Sequence, residues 1–316
     1  MSETKPRVVI AGGSGLIGQA LIERWHDQAD ITVLSRSAGN LPHAAVATWN
    51  PAAAREGNQD ALRALADTLN GADVLVNLAG ASIADGRFDA AHRERIMQSR
   101  LDATGALVKA ASLAEHPPEV WFQTSATGLY GDRGDRTLSE DASTDSDFFL
   151  SEVGRAWEAA AEPAAEFSRL ITGRIGIVFA QDAEAWRKLV LPVRLFGGGP
   201  IGPGTQWWPW VHIDDVTRAI IHLTGDQEAR GVYNLVAPEP ARQIDITRAI
   251  AKKLRRPVWF PTPMWALRMA LGGMPDMLLR PSTRAVPDRL QQSGFRFEHG
   301  TLKGAVGDLL EGNQNR

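Results

Sequence analysis

Short apolar segments alternate with amphipathic segments through the first 180 residues of the chain. The short segments are rich in β-branched residues and predict buried strands, whereas apolar residues spaced near 3.6 predict helices between them. Strands that alternate with helices imply a parallel sheet covered on both faces. We expect strands at Arg7–Ala11, Ile31–Leu34, Asp73–Asn77, Glu119–Thr124 and within Arg169–Phe179, and helices at Leu16–Trp25, Leu62–Leu69, Ala91–Ala111 and Phe149–Ala165.

The pattern changes after Phe179. Residues 197–209 contain five Gly and three Pro, which indicates a loop that turns repeatedly. A helix at Val211–Leu223, a strand at Val232–Val236 and a helix at Ile246–Leu254 are expected to follow it. The remaining stretch, Pro261–Leu310, mixes helical patterns with Pro-rich joints.

A glycine-rich turn joins the first predicted strand to the first helix. Gly12, Gly15 and Gly18 permit a tight turn, close approach of the backbone to a pyrophosphate, and close packing of helix on strand. The helix N-terminus would then favour the phosphates. A structural turn without a ligand is the alternative, but the place of the turn in a βαβ series favours dinucleotide binding. The residues expected to contact the dinucleotide here are Gly12, Ser14, Gly15, Leu16, Ile17 and Gly18.

These patterns together predict an α/β fold. We expect a Rossmann-like doubly wound parallel sheet with a smaller, mostly helical substrate lobe. Residues 1–180 are expected to form the dinucleotide-binding domain, with 210–237 returning to it. Residues 181–209 and 238–316 are expected to form the substrate lobe and the C-terminal domain.

The end of the second predicted strand bears on the choice of cofactor. An acidic residue there would bind the ribose 2′-hydroxyl of NAD, but the chain reads Leu34-Ser-Arg-Ser37. A guanidinium at Arg36, next to Ser35, can fork onto a 2′-phosphate that a carboxylate would repel. NADP(H) is therefore favoured over NAD(H), with a solvated loop charge as the alternative reading of Arg36.

Composition narrows the function classes. The chain has 316 residues, a formal net charge of -3 and no Cys. The near-neutral balance shows no electrostatic signature for nucleic acid or for an acidic membrane surface. The lack of Cys excludes disulfides, zinc-thiolate sites and thiol nucleophiles. With no stretch long enough to span a membrane, we expect a cytoplasmic protein that acts on a small molecule, without a nucleic-acid or membrane partner. No interface signal determines the oligomeric state.

Several motifs resemble those of extended short-chain dehydrogenase/reductases of the epimerase/dehydratase-like kind. They are the glycine turn, Asn77–Gly80 and Thr124–Gly131. Further strings resemble an uncharacterised, atypical branch of that superfamily with its own small C-terminal domain: Ser99–Thr104, Gly198–Asp215, Arg284–Pro287 and Ser293–Phe297.

The resemblance implies particular roles at the catalytic centre. Ser125 matches the strand-end Ser that holds the substrate hydroxyl or carbonyl, although it could simply satisfy the end of a strand. The family's Tyr-x-x-x-Lys pair moves a proton, but alignment on Glu158 puts Leu150 and Gly154 in the two places. Tyr130, just after Ser125, is a substitute acid or a ring that packs in the cleft.

The same resemblance implies further cofactor contacts. Leu78, Ala79 and Gly80 would touch the cofactor through their backbone, and Ile177 would meet the nicotinamide in the same way. Arg100, and less so Arg95, would reach it from the long helix. Exposed helix arginines are the alternative.

The turning loop ends in an aromatic stretch. Gln206, Trp207 and His212 could form an apolar, stacking wall of the substrate cleft, although packing of the lobe on the sheet explains them too. His212 with Asp214 and Asp215 raises the question of a metal. Carboxylates at a helix start accept backbone N–H bonds, however, so we expect no metal.

The leading interpretation is an NADP(H)-binding oxidoreductase or epimerase-like enzyme of unknown substrate that lacks the usual Tyr-x-x-x-Lys dyad. The alternative is an NADPH-binding sensor, structural or regulatory protein with little or no turnover. The missing dyad motivates the alternative. Retention of the glycine turn and of an elaborate Gly- and Trp-rich loop favours the enzyme.

Overall fold

The computed structural model describes residues 5–37, 39–83, 88–271 and 273–311. Residues 1–4 and 312–316, which belong to the predicted domains, lie outside the described residues. In chain order the strands are β1 (Arg7–Ala11), β2 (Asp30–Ser35), β3 (Ala45–Thr48), β4 (Val74–Asn77), β5 (Val120–Ala126), β6 (Thr137–Leu138), β7 (Arg169–Ile175), β8 (Ile177–Phe179), β9 (Trp207–Trp208), β10 (Trp210–His212), β11 (Gly231–Leu235), β12 (Ala241–Arg242) and β13 (Arg284–Ala285).

Helices cover both faces of the sheet and build the later part of the chain. They are α1 (Leu16–Trp25), α2 (Pro51–Arg55), α3 (Gln59–Leu69), α4 (Ala90–Leu113), α5 (Phe149–Ala161), α6 (Glu184–Arg194), α7 (Ile213–Gly225), α8 (Gln243–Leu254), α9 (Met264–Leu271), α10 (Met274–Leu278), α11 (Asp288–Gln292) and α12 (Leu302–Glu311). Short 3₁₀ turns lie at Thr127–Tyr130 and Glu162–Glu166. Within the described residues, no helix is both long enough and apolar enough to cross a membrane.

Seven strands form one parallel sheet in the order β11-β7-β5-β4-β1-β2-β3. Strand β1 pairs with β2 on one side and with β4 on the other, so that Val9 lies opposite Thr32 and Leu75. Strand order reverses between β1 and β4, and ligands of such sheets bind at the carboxyl ends of the strands at this point. The predicted α/β, Rossmann-like doubly wound sheet is confirmed.

Alternation along β1 divides the core between the two faces of the sheet. Val8 and Ile10 pack into the layer that contains α1 and α7, whereas Val9 packs into the layer that contains α3 and α4. Neither face meets water, because successive side chains of a strand point to opposite faces and both are covered. This explains why the strands read as continuous apolar runs.

The lobe beyond the sheet has its own core. Buried side chains of α6, α8 and α12 meet there, with Trp186, Ile246 and Leu309 among them. Phe179 and Trp210 stack at 5.7 Å between ring centroids and belong to the same cluster. The two short strands that carry them, β8 and β10, pair in parallel and join this lobe to the sheet.

Several predicted elements differ in their bounds, and three of the differences have a visible cause. The strand expected within Arg169–Phe179 is divided at Gly176, where the carbonyl of Pro209 approaches so closely that a side chain could not fit. The helix expected at Phe149–Ala165 ends at Ala161, since Pro163 cannot continue it. The helix expected from Val211 begins at Ile213, because Trp210–His212 pairs with β8. The sequence pattern also missed β3 and α2, which are short, and α6, which has 11 residues.

Candidate functional site

The glycine turn lies at the carboxyl end of β1, against the end of β4. Gly12 has a φ of +83°, and a Cβ on it would stand 2.8 Å from the backbone carbonyl of Leu78. A Cβ on Gly18 would stand 2.5 Å from Cα of Gly13. Both positions therefore need glycine for the fold itself. Gly15 is different, because a Cβ there would meet only the carbonyl oxygen of Gly12, at 3.4 Å.

The N-terminus of α1 suits a negatively charged group. Gly15 is its N-cap and offers no side chain to the first N–H groups, and the first turn contains no acidic residue. Ser14 and Leu16 are exposed beside it, and Ile17 is half-buried. Helix N–H groups that lack internal partners, together with the helix dipole, favour phosphate oxygens. The turn thus has the properties that the sequence predicted for a dinucleotide site.

Arg36 follows directly after β2, next to the turn's strand. It is exposed, and no hydrogen bond or ion pair involves it within the described part of the chain. Ser35 is half-buried, and its hydroxyl accepts only a long bond of 3.4 Å from the N–H of Ser37. One free guanidinium and one hydroxyl therefore stand at the end of this strand, with no carboxylate between them.

The buried side-chain amide of Asn77 fixes the segment that follows β4. Asn77 donates to Thr104 Oγ1 at 3.0 Å and to Gln123 Oε1 at 2.9 Å, and its own oxygen accepts the N–H of Ala79 at 3.2 Å. Leu78 and Ala79 are half-buried and Gly80 is exposed. Asn77 therefore shapes Leu78–Gly80 beside the glycine turn and is itself fully occupied.

Arg100 lies under Gly80 on α4. Its Nη1 donates to the carbonyl oxygens of Ala81, at 3.1 Å, and Ile96, at 2.9 Å, and its guanidinium stands 4.7 Å from the ring of Trp157. Burial lowers the pKa of Arg100 to about 10. A buried cation without a carboxylate partner is costly unless an anion approaches it. Arg95 is instead exposed and hydrogen-bonds to the ring of His92.

Ser125 ends β5 with a buried hydroxyl that lacks a partner. Neither its Oγ nor the Oγ1 of Thr124 has a hydrogen-bond partner in the described structure. An orphaned buried hydroxyl usually marks a place where a ligand or water completes the bonding. We call the turn Gly12–Gly18, Arg36, Leu78–Gly80 and Ser125 the glycine edge. Thr124 was not predicted, although its place beside Ser125 at a strand end was a usable signal.

Tyr130, unlike Ser125, has a hydroxyl group that is bonded to other protein groups. Its ring is buried, and its hydroxyl lies 2.8 Å from Asn234 Oδ1 and 3.2 Å from the carbonyl oxygen of Ser139. Arg174 Nη1 donates to the same hydroxyl at 3.0 Å. Burial raises the pKa of Tyr130, and the charge of Arg174 opposes that rise only in part. The structure therefore leaves this hydroxyl no position for a substrate, and we assign no proton transfer to it.

Arg174 is the centre of that environment. It forms two hydrogen bonds with Glu158, at 2.9 and 2.8 Å, and donates to the carbonyl oxygen of Glu140 at 3.1 Å. Glu140 Oε1 accepts the N–H groups of Asn234 and Arg289, and burial raises the pKa of Glu140. We call Tyr130, Glu140, Glu158, Arg174 and Asn234 the tyrosine network. Sequence reasoning missed the network, because its members are distant in the chain.

The two places where the resemblance expects the dyad are packed. Leu150 stands over Gly128, with its Cβ 3.6 Å from where a Cβ of Gly128 would be. A Cβ on Gly154 would stand 2.5 Å from Cβ of Leu129. The contact between α5 and the turn Thr127–Tyr130 thus leaves no room for a long side chain at 154.

The remaining predicted cleft residues bind other parts of the protein. The N–H of Ile177 donates to the carbonyl oxygen of Pro209 at 2.6 Å. Gln206 donates to the carbonyls of Ile201 and Leu279, both at 3.0 Å, so it joins the turning loop to the C-terminal region. Its Oε1 is buried without a partner.

Trp207 stands between two arginines. Arg242 lies 4.4 Å and Arg284 4.6 Å from its ring, and its Nε1 donates to Asp135 at 2.7 Å. The ring is half-buried. Its polar and π contacts are therefore made with protein groups.

His212 caps α7 and stacks on a second imidazole. Its Nδ1 accepts the N–H of Asp214 at 3.2 Å, and its ring centroid lies 3.8 Å from that of His299. Nε2 has no hydrogen-bond partner but stands 3.3 Å from Asp308. Burial and His299 lower the pKa of His212. These four side chains offer nitrogen and oxygen atoms within 4.8 Å of one another. The planes of the two rings are inclined at 30° to each other. The expectation of no metal stays a prediction.

This geometry defines a class of protein: the first domain has the fold and the phosphate-binding turn of a nicotinamide dinucleotide-binding protein. Residues 8–235 match the model of the NAD dependent epimerase/dehydratase family, and the chain belongs to that family. Residues 262–309 match a domain of unknown function, DUF1731. The predicted resemblance to the epimerase/dehydratase family, with its own C-terminal domain, is confirmed.

Relatives cover almost the whole chain. Epimerase family protein SERP0438 of Staphylococcus epidermidis is 33% identical over 309 residues, which are 96% of this chain and 99% of the relative. Epimerase family protein SSP1921 of Staphylococcus saprophyticus is 34% identical over 304 residues, 96% of this chain and 98% of the relative.

Solved structures show the same architecture. The human epimerase family protein SDR39U1 (isoform2), solved with NADPH, is 29% identical, with a TM-score of 0.86 over 96% of this chain and 99% of its own. MoeE5, solved with UDP-glucuronic acid and NAD, has a TM-score of 0.74 at 18% identity over 98% of this chain and 100% of its own, and shares the fold.

Proposed function

We propose that this chain is an NADP(H)-dependent oxidoreductase or epimerase-like enzyme that acts on a small molecule. The observation that carries the proposal is the end of β2, where Arg36 is exposed and has no ion pair among the described residues, and where Leu34–Ser37 contains no acidic residue. A free guanidinium there suits a 2′-phosphate and not a bare ribose. The human relative solved with NADPH supports the same choice.

The residues of the glycine edge fit the cofactor. Backbone N–H groups at the start of α1, around Gly15, would hold the pyrophosphate. Arg36, with Ser35, would hold the 2′-phosphate, and Leu78–Gly80 would line the site through their backbone. Arg100 supports the site electrostatically, because its buried charge has no carboxylate partner among the described residues and gains from a nearby anion.

The bound nicotinamide supplies or accepts a hydride. The chain's own contribution at the reacting end is Ser125, whose buried hydroxyl is free to hold a carbonyl or hydroxyl oxygen of the substrate. A hydroxyl held in a dry site orients the substrate and strengthens a bond to charge that develops on that oxygen. Tyr130 takes no part in this step, since its hydroxyl already bonds protein groups.

The packing of α5 supports a second candidate function. Leu150 and Gly154, which the resemblance puts in the Tyr and Lys places of the dyad, pack against the turn Thr127–Tyr130. A chain that keeps a cofactor site without a proton-transfer pair could bind NADPH as a sensor or a regulatory protein with little turnover. The orphaned hydroxyls of Ser125 and Thr124 favour the enzyme over the sensor, because a mere cofactor carrier has no need of them.

Replacement of Arg36 tests the cofactor assignment. Loss of a charge-assisted bond to a phosphate removes about 1.5–3 kcal/mol, or about 10- to 100-fold in affinity. We therefore expect Arg36→Ala to weaken NADPH binding by that factor and to leave NADH binding nearly unchanged, as measured by cofactor fluorescence. Arg63→Ala, an exposed arginine on α3, is the matched control. Equal affinity of the unaltered chain for both cofactors would contradict the proposal.

A second measurement separates the enzyme from the sensor. The purified chain with NADP⁺ or NADPH is incubated with a fractionated metabolite extract, and absorbance of the reduced nicotinamide is followed. An enzyme changes the absorbance with one fraction, and Ser125→Ala abolishes the change without weakening NADPH binding. Tight NADPH binding with no turnover in any fraction favours the sensor.

A further inference from the structure

The large apolar side chains that the structure leaves exposed are concentrated in one region. Nine such side chains are exposed among the described residues, and seven lie between Leu191 and Met269. The most exposed are Met269 at 79%, Trp259 at 73% and Leu195 at 70%, followed by Trp265 at 64%. Soluble monomers rarely expose a continuous apolar patch of this kind without a function for it.

These side chains come from three neighbouring pieces of the chain. Leu191 and Leu195 stand one turn apart at the end of α6, and Phe196 follows them. The N–H groups of Trp259 and Phe260 donate to the carbonyl of Gly198, which holds their segment beside the end of α6.

Helix α9 extends the same surface. Met264 touches Gly202 at its start, and Trp265 and Met269 are four residues apart, so they share one helical face. We call Leu191, Leu195, Phe196, Trp259, Phe260, Trp265 and Met269 the aromatic face.

Positive charge surrounds the aromatic face. Residues 246–275 contain six Lys and Arg and no Asp or Glu, whereas the whole chain has a net charge of -3. Three of the six pair with acids outside that stretch: Arg248 with Asp245, Lys253 with Glu311 and Arg268 with Asp276. Arg194, Lys252 and Arg255 are exposed and have no ion pair within the described residues. Arg256 lies 4.1 Å from the ring of Phe196, which places a cation directly on the aromatic face. The sequence predicted no membrane partner from the net charge of the whole chain. That net charge does not show the local excess of Lys and Arg around the aromatic face.

We propose that the aromatic face docks on an anionic lipid bilayer. Indole and phenyl rings insert at the level of lipid headgroups, and flanking Lys and Arg bind anionic headgroups. Both features are combined here, with Arg194, Lys252 and Arg255 free of ion pairs among the described residues. The protein would lie on the bilayer surface, with the C-terminal region facing the lipid.

A second copy of the chain is the main rival occupant. Most dimers are built on a two-fold axis that brings the same patch of both copies together. Here such an axis would bring Arg194, Lys252 and Arg255 toward the same residues of the other copy. Like charges repel at that range, so the surface complements a negatively charged partner better than itself.

Vesicle sedimentation tests the proposal. Vesicles of phosphatidylcholine alone are compared with vesicles of equal parts phosphatidylcholine and phosphatidylglycerol. We expect binding to the anionic vesicles only, weakened by salt. The double variant Trp265→Ser with Met269→Ser is expected to lower the vesicle affinity at least tenfold. Leu113→Ser, which removes an equally exposed leucine (60%) from α4, is the matched control and is expected to change nothing.

Variants with reversed charge test the contribution of the basic residues to vesicle binding. Lys252→Glu with Arg194→Glu is expected to abolish binding to anionic vesicles, whereas Arg63→Glu on the opposite domain leaves it unchanged. Unaltered NADPH affinity of every variant shows that the chain is folded, so failure here is separate from failure of the cofactor assignment. Equal binding to neutral vesicles, or no binding at all, overturns the proposal. A dimer seen by analytical ultracentrifugation that Trp265→Ser disrupts assigns the face to a second copy and overturns it too.

Discussion

The glycine edge and the tyrosine network lie on neighbouring strands of one sheet, yet most of their polar groups are bonded differently. Along the glycine edge, the hydroxyl of Ser125 and the guanidinium of Arg36 have no partner among the described residues. In the tyrosine network, Arg174 and the hydroxyl of Tyr130 bond to several protein groups, although Oε2 of Glu140 is buried without a partner in the described structure.

This difference helps to distinguish residues that bind a ligand from residues that stabilise the fold. A buried polar group without a partner costs free energy, and a fold keeps it only where a ligand or water completes the bonding. A buried group with all its bonds made rigidifies the core instead. Tyr130 resembled a catalytic residue by its place in the sequence, five residues after Ser125, but its bonds assign it to the scaffold.

Removal of Arg174 is expected to have the largest effect on stability. Arg174→Met leaves Glu158, whose side chain is 17% exposed, as a partly buried charge without its partner, and loss of one member of a buried pair costs about 3–5 kcal/mol. Urea unfolding measures the change, and NADPH affinity should survive wherever the variant is folded. The double variant Arg174→Met with Glu158→Leu should recover part of the loss. A change below about 1 kcal/mol would remove the distinction between the two regions.

Gly12→Ala is expected to have the next largest effect, and it acts on the glycine edge. A Cβ at Gly12 meets the backbone of Leu78 and sits at a positive φ, so both strain and a clash result. We expect about 2–3 kcal/mol of destabilisation together with loss of NADPH binding. Gly39→Ala is the control, since nothing lies within 4 Å of its added Cβ. Unchanged cofactor affinity in a folded Gly12→Ala chain would show that the turn serves packing alone.

The two hydroxyls near the end of β5 allow a direct contrast of smaller size. Tyr130→Phe removes bonds to Asn234 and Arg174 and should cost about 1–2 kcal/mol of stability. Ser125→Ala removes a hydroxyl that has no partner, so its stability should stay within about 0.5 kcal/mol of the unaltered chain. Thermal unfolding of both variants tests the contrast. The reverse order of effects would contradict it.

His212 lies between the two extremes, and its replacement should have the smallest effect. Nδ1 caps α7 while Nε2 lacks a partner, and burial with His299 lowers the pKa of the ring in the folded state. A lowered histidine pKa means that the unfolded chain binds the proton more tightly. Stability is therefore full above the unfolded pKa of about 6.5 and is lost as pH falls through the folded value.

Asn is also a good N-cap, so His212→Asn should change stability by less than about 1 kcal/mol at pH 7.5. It should also flatten the loss of stability between pH 7 and pH 5. Urea unfolding at a series of pH values, with His222→Asn as the control on the same helix, measures the slope. An identical slope in both variants and in the unaltered chain would mean that other groups produce it.

Periodicity was sufficient for most of the fold. Local apolar patterns determine whether a segment suits a strand or a helix, so β1, α1 and β4 were predictable within a residue or two. Boundaries that depend on distant residues were not. Gly176 divides a strand because Pro209, more than thirty residues later, approaches it, and Val211 is a strand residue because β8 pairs with it.

The sequence by itself determined the class of the protein. Three glycines in a strand–turn–helix context and an arginine after β2 depend only on neighbours in the chain, so the phosphate-binding turn was readable from residues alone. Which polar groups are satisfied was decided only by the tertiary structure. Arg174, Tyr130 and Asn234 lie on different strands or turns and come together only in the folded chain, so no local sequence pattern predicts their contacts. The same holds for the aromatic face, because three separate segments lie side by side only in the folded chain.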